Sequence, residues 1–221
     1  MNNQIKAVIF DFDGLLVNTE ELLMIAWSEF FRRRNKKFPD REKAVIMGRP
    51  AQENMSYLAS KYRIDGDIDD LLVERRTIFK QLFDDRLELM ESAEDLLKKT
   101  KMWDLKTAIA SSGRREIIDE ALRRLEIKNY FNIVVCVEDL VEGRGKPDPD
   151  IFILAAQRLG VRREACLVLE DAPHGVTAAK SAKMRVYGVN PDGKLRTKLT
   201  KAGANRVYAS LSELDIDDIF Q

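Results

Sequence analysis

The sequence predicts a doubly wound α/β fold, a parallel sheet covered by helices on both faces, with a helical domain inserted after the first strand. Two patterns predict it. Short apolar runs rich in β-branched residues alternate with helical patterns over most of the chain, which argues for parallel strands joined by crossover helices. The interval from Thr19 to about Met90 breaks this alternation: it reads as helix after helix and is too long for a loop. The chain then divides into a core of residues 1–17 and 91–221 and a helical cap over 18–90.

The first strand is expected near residues 6–11. Ala7-Val8-Ile9-Phe10 is continuously apolar, and the run stops abruptly at Asp11-Phe12-Asp13-Gly14. Strand side chains alternate faces, so Asp11 and Asp13 project to one side and Phe12 to the other. An acid emerging from a buried strand is costly unless a cation or hydrogen bonds compensate it. The pair is half of a metal-assisted phosphoryl-transfer site, or else an acidic turn. A calcium loop fits worse, because its third acid and later Glu are missing. In the cap, Glu20 to Arg34 carries apolar residues at Leu23, Ala26, Trp27, Phe30 and Phe31, and Leu71 to Phe83 repeats that helical spacing.

Further strands are expected near 105–110, 132–137, 166–170 and 185–189, with a weaker one at Arg206-Val207-Tyr208. The first leads into Ser111-Ser112-Gly113, whose hydroxyls and amides suit phosphate oxygens above a helix starting near Arg114. Gly145-Lys146-Pro147-Asp148-Pro149-Asp150 puts a lysine in a stiff turn before a helix beginning near Ile151, where it can neutralise a phosphoryl group. Cys166-Leu167-Val168-Leu169 ends in Glu170-Asp171, a second acid pair offering the oxygen ligands that divalent metals take. All these ends fall on one edge of the sheet, the edge at which open α/β sheets bind ligands.

Composition narrows the field without choosing within it. The 221 residues carry 37 basic and 37 acidic side chains, so no global field draws the chain to nucleic acid or an anionic membrane. No apolar run approaches the ~20 residues of a membrane span and no charged-then-apolar leader is visible, so a soluble, cytoplasmic protein is expected, and a monomer is the expected state. Cys136 and Cys166 sit inside apolar runs, where they serve as small hydrophobes rather than disulfide partners.

In this order, Asp11-Phe12-Asp13-Gly14, Ser111, Lys146 and Glu170-Asp171 resemble the four motifs of the haloacid dehalogenase (HAD) superfamily, over essentially the whole chain. Gly145-Lys146-Pro147-Asp148-Pro149 and Glu170-Asp171-Ala172-Pro173-His174-Gly175-Val176 are similar to the subgroup that contains β-phosphoglucomutase and many small sugar-phosphate phosphatases. The resemblance implies a Rossmann-like core and a set of roles. Asp11 would be the nucleophile, forming an aspartyl-phosphate, and Asp13 the general acid and base. Mg2+ would be held by a carboxylate oxygen of Asp11, the backbone carbonyl of Asp13 and the carboxylate of Asp171, with Glu170 assisting from the outer shell. Ser111, Lys146 and the backbone amides around Ser112 would take up charge on the transferring phosphate.

Two positions depart from that pattern. Relatives usually have an acid where Asn18 stands; asparagine keeps hydrogen-bonding capacity at the helix entry and drops a charge. They also tend to have Pro-Gly where this chain has Glu91-Ser92, so the hinge at the cap exit is expected to differ. Met47-Gly48-Arg49-Pro50 is similar to a loop that, in mutase-like relatives, reaches over the active site to a distal phosphate. Arg49 is either that clamp or a solvated loop arginine. Arg114 either meets the same phosphate from the core side or is an exposed first-turn arginine, and Arg75 and Arg76 lie where relatives have a substrate-facing basic residue.

Other features suggest no chemistry. His174, the sole histidine, is expected to pack at a helix end. Gly143-Arg144-Gly145-Lys146 lacks the spacing and the following Ser/Thr of a nucleotide loop, and Arg32 to Arg34, Arg123-Arg124 and Arg162-Arg163 read as solvated faces. The expectation is a capped α/β phosphatase that hydrolyses a small phosphomonoester, a sugar phosphate, with Mg2+. The alternatives are a phosphosugar mutase on the same scaffold and a non-catalytic metabolite-binding protein. Against the mutase stands Leu23, near the position of a cap histidine in mutase-like relatives.

Overall fold

A computed structural model describes residues 4–46, 49–141 and 144–214. Met47, Gly48 and Gly143, which belong to segments singled out above, lie outside the described residues. The chain forms two compact units, Met1–Val17 with Glu88–Gln221, and Asn18–Leu87.

The first unit is built on a six-stranded sheet, all of whose pairings are parallel: β1 (Ala7–Phe10), β2 (Lys106–Ser111), β3 (Ile133–Cys136), β4 (Cys166–Glu170), β5 (Arg185–Val189) and β6 (Arg206–Tyr208). Their order is β3-β2-β1-β4-β5-β6, so the chain leaves β1 to one side for β2 and β3 and returns to its other side for β4. All residues of β1 and β4 are buried, as expected of central parallel strands covered on both faces, whereas the edge strand β6 is half-buried throughout. The crossovers contain α5 (Ala93–Met102), α6 (Arg115–Arg124), α7 (Asp150–Leu159), α8 (Pro173–Ser181) and α9 (Gly193–Lys201). Phe152, Ala155 and Leu159 of α7 and Val176 and Ala179 of α8 join Ile9, Ala110, Val135 and Val168 of the strands in one apolar core. Cys136 and Cys166 are both buried and free of any disulfide, Cys166 within this core, and burial pushes both thiols up to about 12, which suits packing and not reactivity.

Among the described residues the elements of the second unit are helices: α1 (Thr19–Arg32), α2 (Asp40–Ile46), α3 (Ala51–Tyr62) and α4 (Ile68–Arg86). Trp27, Phe30, Phe31 and Phe38 form an aromatic centre, closed by Met55, Leu58, Leu72 and Ile78. The buried stripe of α1 begins at Leu22, four residues before Ala26, and Leu23 is only half-buried; the expected stripe was off by one residue at its first turn.

Local geometry accounts for the other differences. The insertion ends at Leu87, before the expected residue 90, because Leu89 bridges Val17 and the Met90 amide donates to the Leu16 carbonyl, joining those residues to the sheet unit. Asn18 stands at the N-cap of α1 but makes no side-chain capping bond there; its Nδ2 instead donates to the Arg86 carbonyl at 2.9 Å, tying the two ends of the helical unit together. Ser92 has φ +63°, the left-handed conformation that glycine adopts without strain, at the position where the resemblance expects glycine.

Candidate active site

The strand order reverses between β1 and β4, and the acids stand at the C-terminal ends of these two neighbours. Phe10 registers with Leu169, and the Asp11 amide donates to the Leu169 carbonyl at 2.9 Å, so Asp11 leaves the sheet beside Glu170 and Asp171. All three acids are buried, and one carboxylate oxygen from each lies within 4.8 Å of the others. Lys146 arrives from the connection between β3 and α7. Its side chain is 2% exposed, and Nζ donates to Asp11 Oδ1 at 2.5 Å and Glu170 Oε1 at 2.6 Å. The other Glu170 oxygen accepts the Ala172 amide at 2.9 Å, ahead of α8.

A second pair forms between β1 and β2. Ser111 Oγ donates to Asp13 Oδ2 at 2.8 Å and accepts the Gly113 amide at 2.8 Å, so the end of β2 and the residues after β1 are cross-linked through one hydroxyl. Ser112 and Arg114 are exposed; Arg114 is the N-cap of α6, one residue before the helix proper, and its guanidinium lies 3.8 Å from the Glu116 carboxylate. The structure therefore gathers Asp11, Asp13, Ser111, Lys146, Glu170 and Asp171 at one sheet edge, with Ser112 and Arg114 on the adjoining turn. Arg49 belongs to the helical unit, in the bend before α3, and is exposed. Arg76 is exposed too, whereas Arg75 is 8% exposed, with its guanidinium 5.2 Å from the Trp27 ring and its Nε without a partner.

The electrostatics follow from three acids facing one ammonium. Burial pushes the Asp11 carboxyl up to about 8, against the attraction of Lys146 and with the help of the charges on Glu170 and Asp13. Burial opposes charge on Lys146 too, but Asp11 and Glu170 outweigh it and hold the ammonium firmly protonated. His174, in the first turn of α8, is pulled below its ordinary value by burial. A hard dication fits this site: the donors are all carboxylate oxygens, they converge, and two of the three share one lysine.

Sequence reasoning missed Asn190, whose Nδ2 donates to the Asp171 carbonyl at 3.2 Å. A signal was available, since Asn190 follows β5 at the same sheet edge as the acids.

Doubly wound topology and buried acids at its switch point define an α/β enzyme that works at the carboxyl ends of its central strands. The sequence matches the family described as haloacid dehalogenase-like hydrolase over residues 8–189. It is 34% identical over 203 residues to a phosphorylated carbohydrates phosphatase of Thermotoga maritima, covering 90% of this chain and 92% of the relative. It is 37% identical over 197 residues to (DL)-glycerol-3-phosphatase 2 of Arabidopsis thaliana, covering 86% and 81%. The structure resembles that of a putative β-phosphoglucomutase from Thermotoga maritima, with a TM-score of 0.78, 31% identity and coverage of 98% and 97%. The chain belongs to the haloacid dehalogenase-like hydrolase family.

Proposed function

We propose that this protein is a Mg2+-dependent phosphatase that hydrolyses a small phosphomonoester, a sugar phosphate or a similar phosphorylated polyol, through an aspartyl-phosphate on Asp11. The observation that carries this reading is the buried trio Asp11, Glu170 and Asp171 with Lys146 bonded to two of its members, at the end of the strands where the family's motifs fall. Relatives named as phosphatases cover most of the chain and most of their own length.

Asp11 attacks phosphorus as an oxygen–phosphorus bond forms and the bond to the leaving alcohol breaks. Asp13 gives that alcohol its proton and later takes one from the water that hydrolyses the phospho-enzyme. The Ser111 hydroxyl, now on Asp13, has a donor to offer a phosphate oxygen, and Lys146 keeps Asp11 in place while its charge offsets that of the incoming phosphoryl group. Asp11, Asp171 and the Asp13 carbonyl would hold Mg2+, with Glu170 behind them; the ion would offset repulsion between the anionic nucleophile and the phosphate.

The resemblance assigns Arg49 to the part of the substrate that is not transferred, and Arg75, buried against Trp27 with an unpartnered Nε, is a further basic group of the helical unit. The protein acts as a monomer in the cytoplasm. Among the described residues no helix is long and apolar enough to cross a membrane.

Release of inorganic phosphate from a panel of sugar phosphates, polyol phosphates and an aryl phosphate, with Mg2+ and with chelator, tests the proposal. Turnover of at least one member with Mg2+ and none in chelator is expected; full activity in excess chelator rules out the metal role. A mutase reading has the likeness to the putative β-phosphoglucomutase in its favour. β-Glucose 1-phosphate with catalytic β-glucose 1,6-bisphosphate decides between them: phosphate release faster than formation of glucose 6-phosphate is expected, since Leu23, near the position of a cap histidine in mutase-like relatives, cannot form side-chain hydrogen bonds.

A further inference from the structure

Gly175 is the third residue of α8, in a first turn made of Pro173, His174 and Gly175, and it is buried. Its backbone lies directly against the Glu170 carboxylate. A Cβ placed on Gly175 would fall inside that group, overlapping Oε1 and Cδ and reaching within 2.6 Å of Oε2. Oε1 is the oxygen that accepts from Lys146 Nζ, and Nζ also donates to Asp11 Oδ1. The carboxylate has no free direction in which to retreat. Glu170 is 1% exposed, its backbone ends β4, and Oε2 is tied to the Ala172 amide.

We propose that Gly175 is a positioning residue for the active site: the side chain it lacks is the space that Glu170 occupies. Through Glu170 Oε1 it sets the place of Lys146, and through Lys146 that of Asp11. A methyl group there forces Oε1 away, so Lys146 loses one of its two carboxylates or shifts with it, and the trio opens. Gly113 shows a milder form of the same arrangement, since its Cβ would stand 3.0 Å from both Asp13 Oδ2 and Ser111 Oγ. Gly188 is a useful contrast: it is crowded too, though less than Gly175, with a Cβ 2.9 Å from Leu199 Cδ1, and the atoms that Cβ would meet all belong to the apolar Leu199 side chain.

The inference rests on the phosphatase reading for its consequence in turnover, and the experiment separates the two. Gly175→Ala, Glu170→Asp, the double variant and Gly188→Ala are compared by thermal unfolding, Mg2+ titration calorimetry and turnover of an aryl phosphate. Gly175→Ala should weaken Mg2+ binding and lower kcat by about 10- to 100-fold each, the range seen when a group supporting a metal ligand is lost, with KM moving little. Glu170→Asp in the Gly175→Ala background withdraws the carboxylate by one methylene and should recover part of both losses. Gly188→Ala should lower the unfolding temperature and leave kcat and Mg2+ affinity unchanged. If Gly175→Ala does not fold, the same clash predicts that the double variant does. Wild-type Mg2+ affinity and kcat in Gly175→Ala would overturn the proposal. So would a double variant no better than Gly175→Ala in folding, binding and turnover. Calorimetry and folding require no substrate, so a wild type without phosphatase activity would sink the phosphatase reading and leave this test intact.

Discussion

Each unit of the protein buries a carboxylate beside a lysine, and the two carboxylates behave in opposite ways. Glu42 in the helical unit is fully buried and surrounded by donors: Lys61 Nζ at 2.8 Å, Tyr62 Oη at 2.7 Å, Tyr57 Oη at 2.9 Å and Arg41 Nε at 3.3 Å. Lys61 and Tyr62 hold it down to about 2, and its role is to tie α2 to α3. Asp11 has a lysine at shorter range, yet burial and its acidic neighbours push it up to about 8. The difference lies in the company each acid keeps. Donors converge on Glu42, which leaves a finished structural anchor; acids converge on Asp11, which leaves a site that calls for a further cation.

Replacing the two acids should expose that difference most strongly. Asp11→Asn should abolish phosphatase turnover in a folded protein, because an amide is a poor nucleophile; more than a few per cent of wild-type activity in the purified variant would break the covalent mechanism. Glu42→Gln should leave turnover nearly intact.

The lysines come next. In chelator, Lys146→Met leaves Asp11 and Glu170 buried without their ammonium and should cost about 3–5 kcal/mol, the usual penalty for breaking a buried pair. Mg2+ should return part of that stability. Lys61→Met should cost about 1 kcal/mol, since three other donors remain on Glu42, and Mg2+ should not alter it. Urea denaturation with and without Mg2+ reads both; equal responses to the ion would erase the distinction between anchor and site.

The pH dependence of metal-free stability should run in opposite directions for the two acids. Asp11 binds its proton more tightly folded than unfolded, so its contribution is complete below its ordinary value of 3.8 and is lost as pH rises through about 8. Glu42 binds its proton less tightly folded, so its contribution is complete above its ordinary 4.5 and is lost as pH falls through about 2. Denaturation curves in chelator should show Asp11→Asn flattening the alkaline decline and Glu42→Gln the acid one. Wild-type slopes in either variant would reassign that slope to other groups.

The smallest effect concerns neither acid. Ser92→Gly should stabilise the sheet unit by up to about 1 kcal/mol by relieving its left-handed backbone, offset in part by the greater freedom of the unfolded chain. A lower unfolding temperature would mean that the Ser92 side chain matters more than its φ.

Much of this was legible because its physics is local. β1 and β4 are short, apolar and closely bounded by acids, so their existence, their parallel direction and the placement of Asp11 and Glu170-Asp171 at one edge of the sheet follow from pattern alone. The α1 stripe was legible except at its first turn, where adjacent Leu22 and Leu23 offer the same hydropathy and only packing chooses Leu22. Asn18 read as a cap because helix entries favour such residues, yet its amide found the Arg86 carbonyl instead, a partner 68 residues away that no local rule could name.

By itself the sequence determined which groups stand at the sheet's edge, because strand periodicity and the ends of apolar runs are properties of neighbouring residues. Tertiary structure decided which of those groups touch. Lys146 bridges Asp11 and Glu170 from a separate connection, Ser111 holds Asp13 across 98 residues of chain, and Glu170 fits only because Gly175 has no side chain. Contacts of that kind depend on the order in which strands are laid side by side and on the volume left between them, and neither quantity is written in the spacing of residues along the chain.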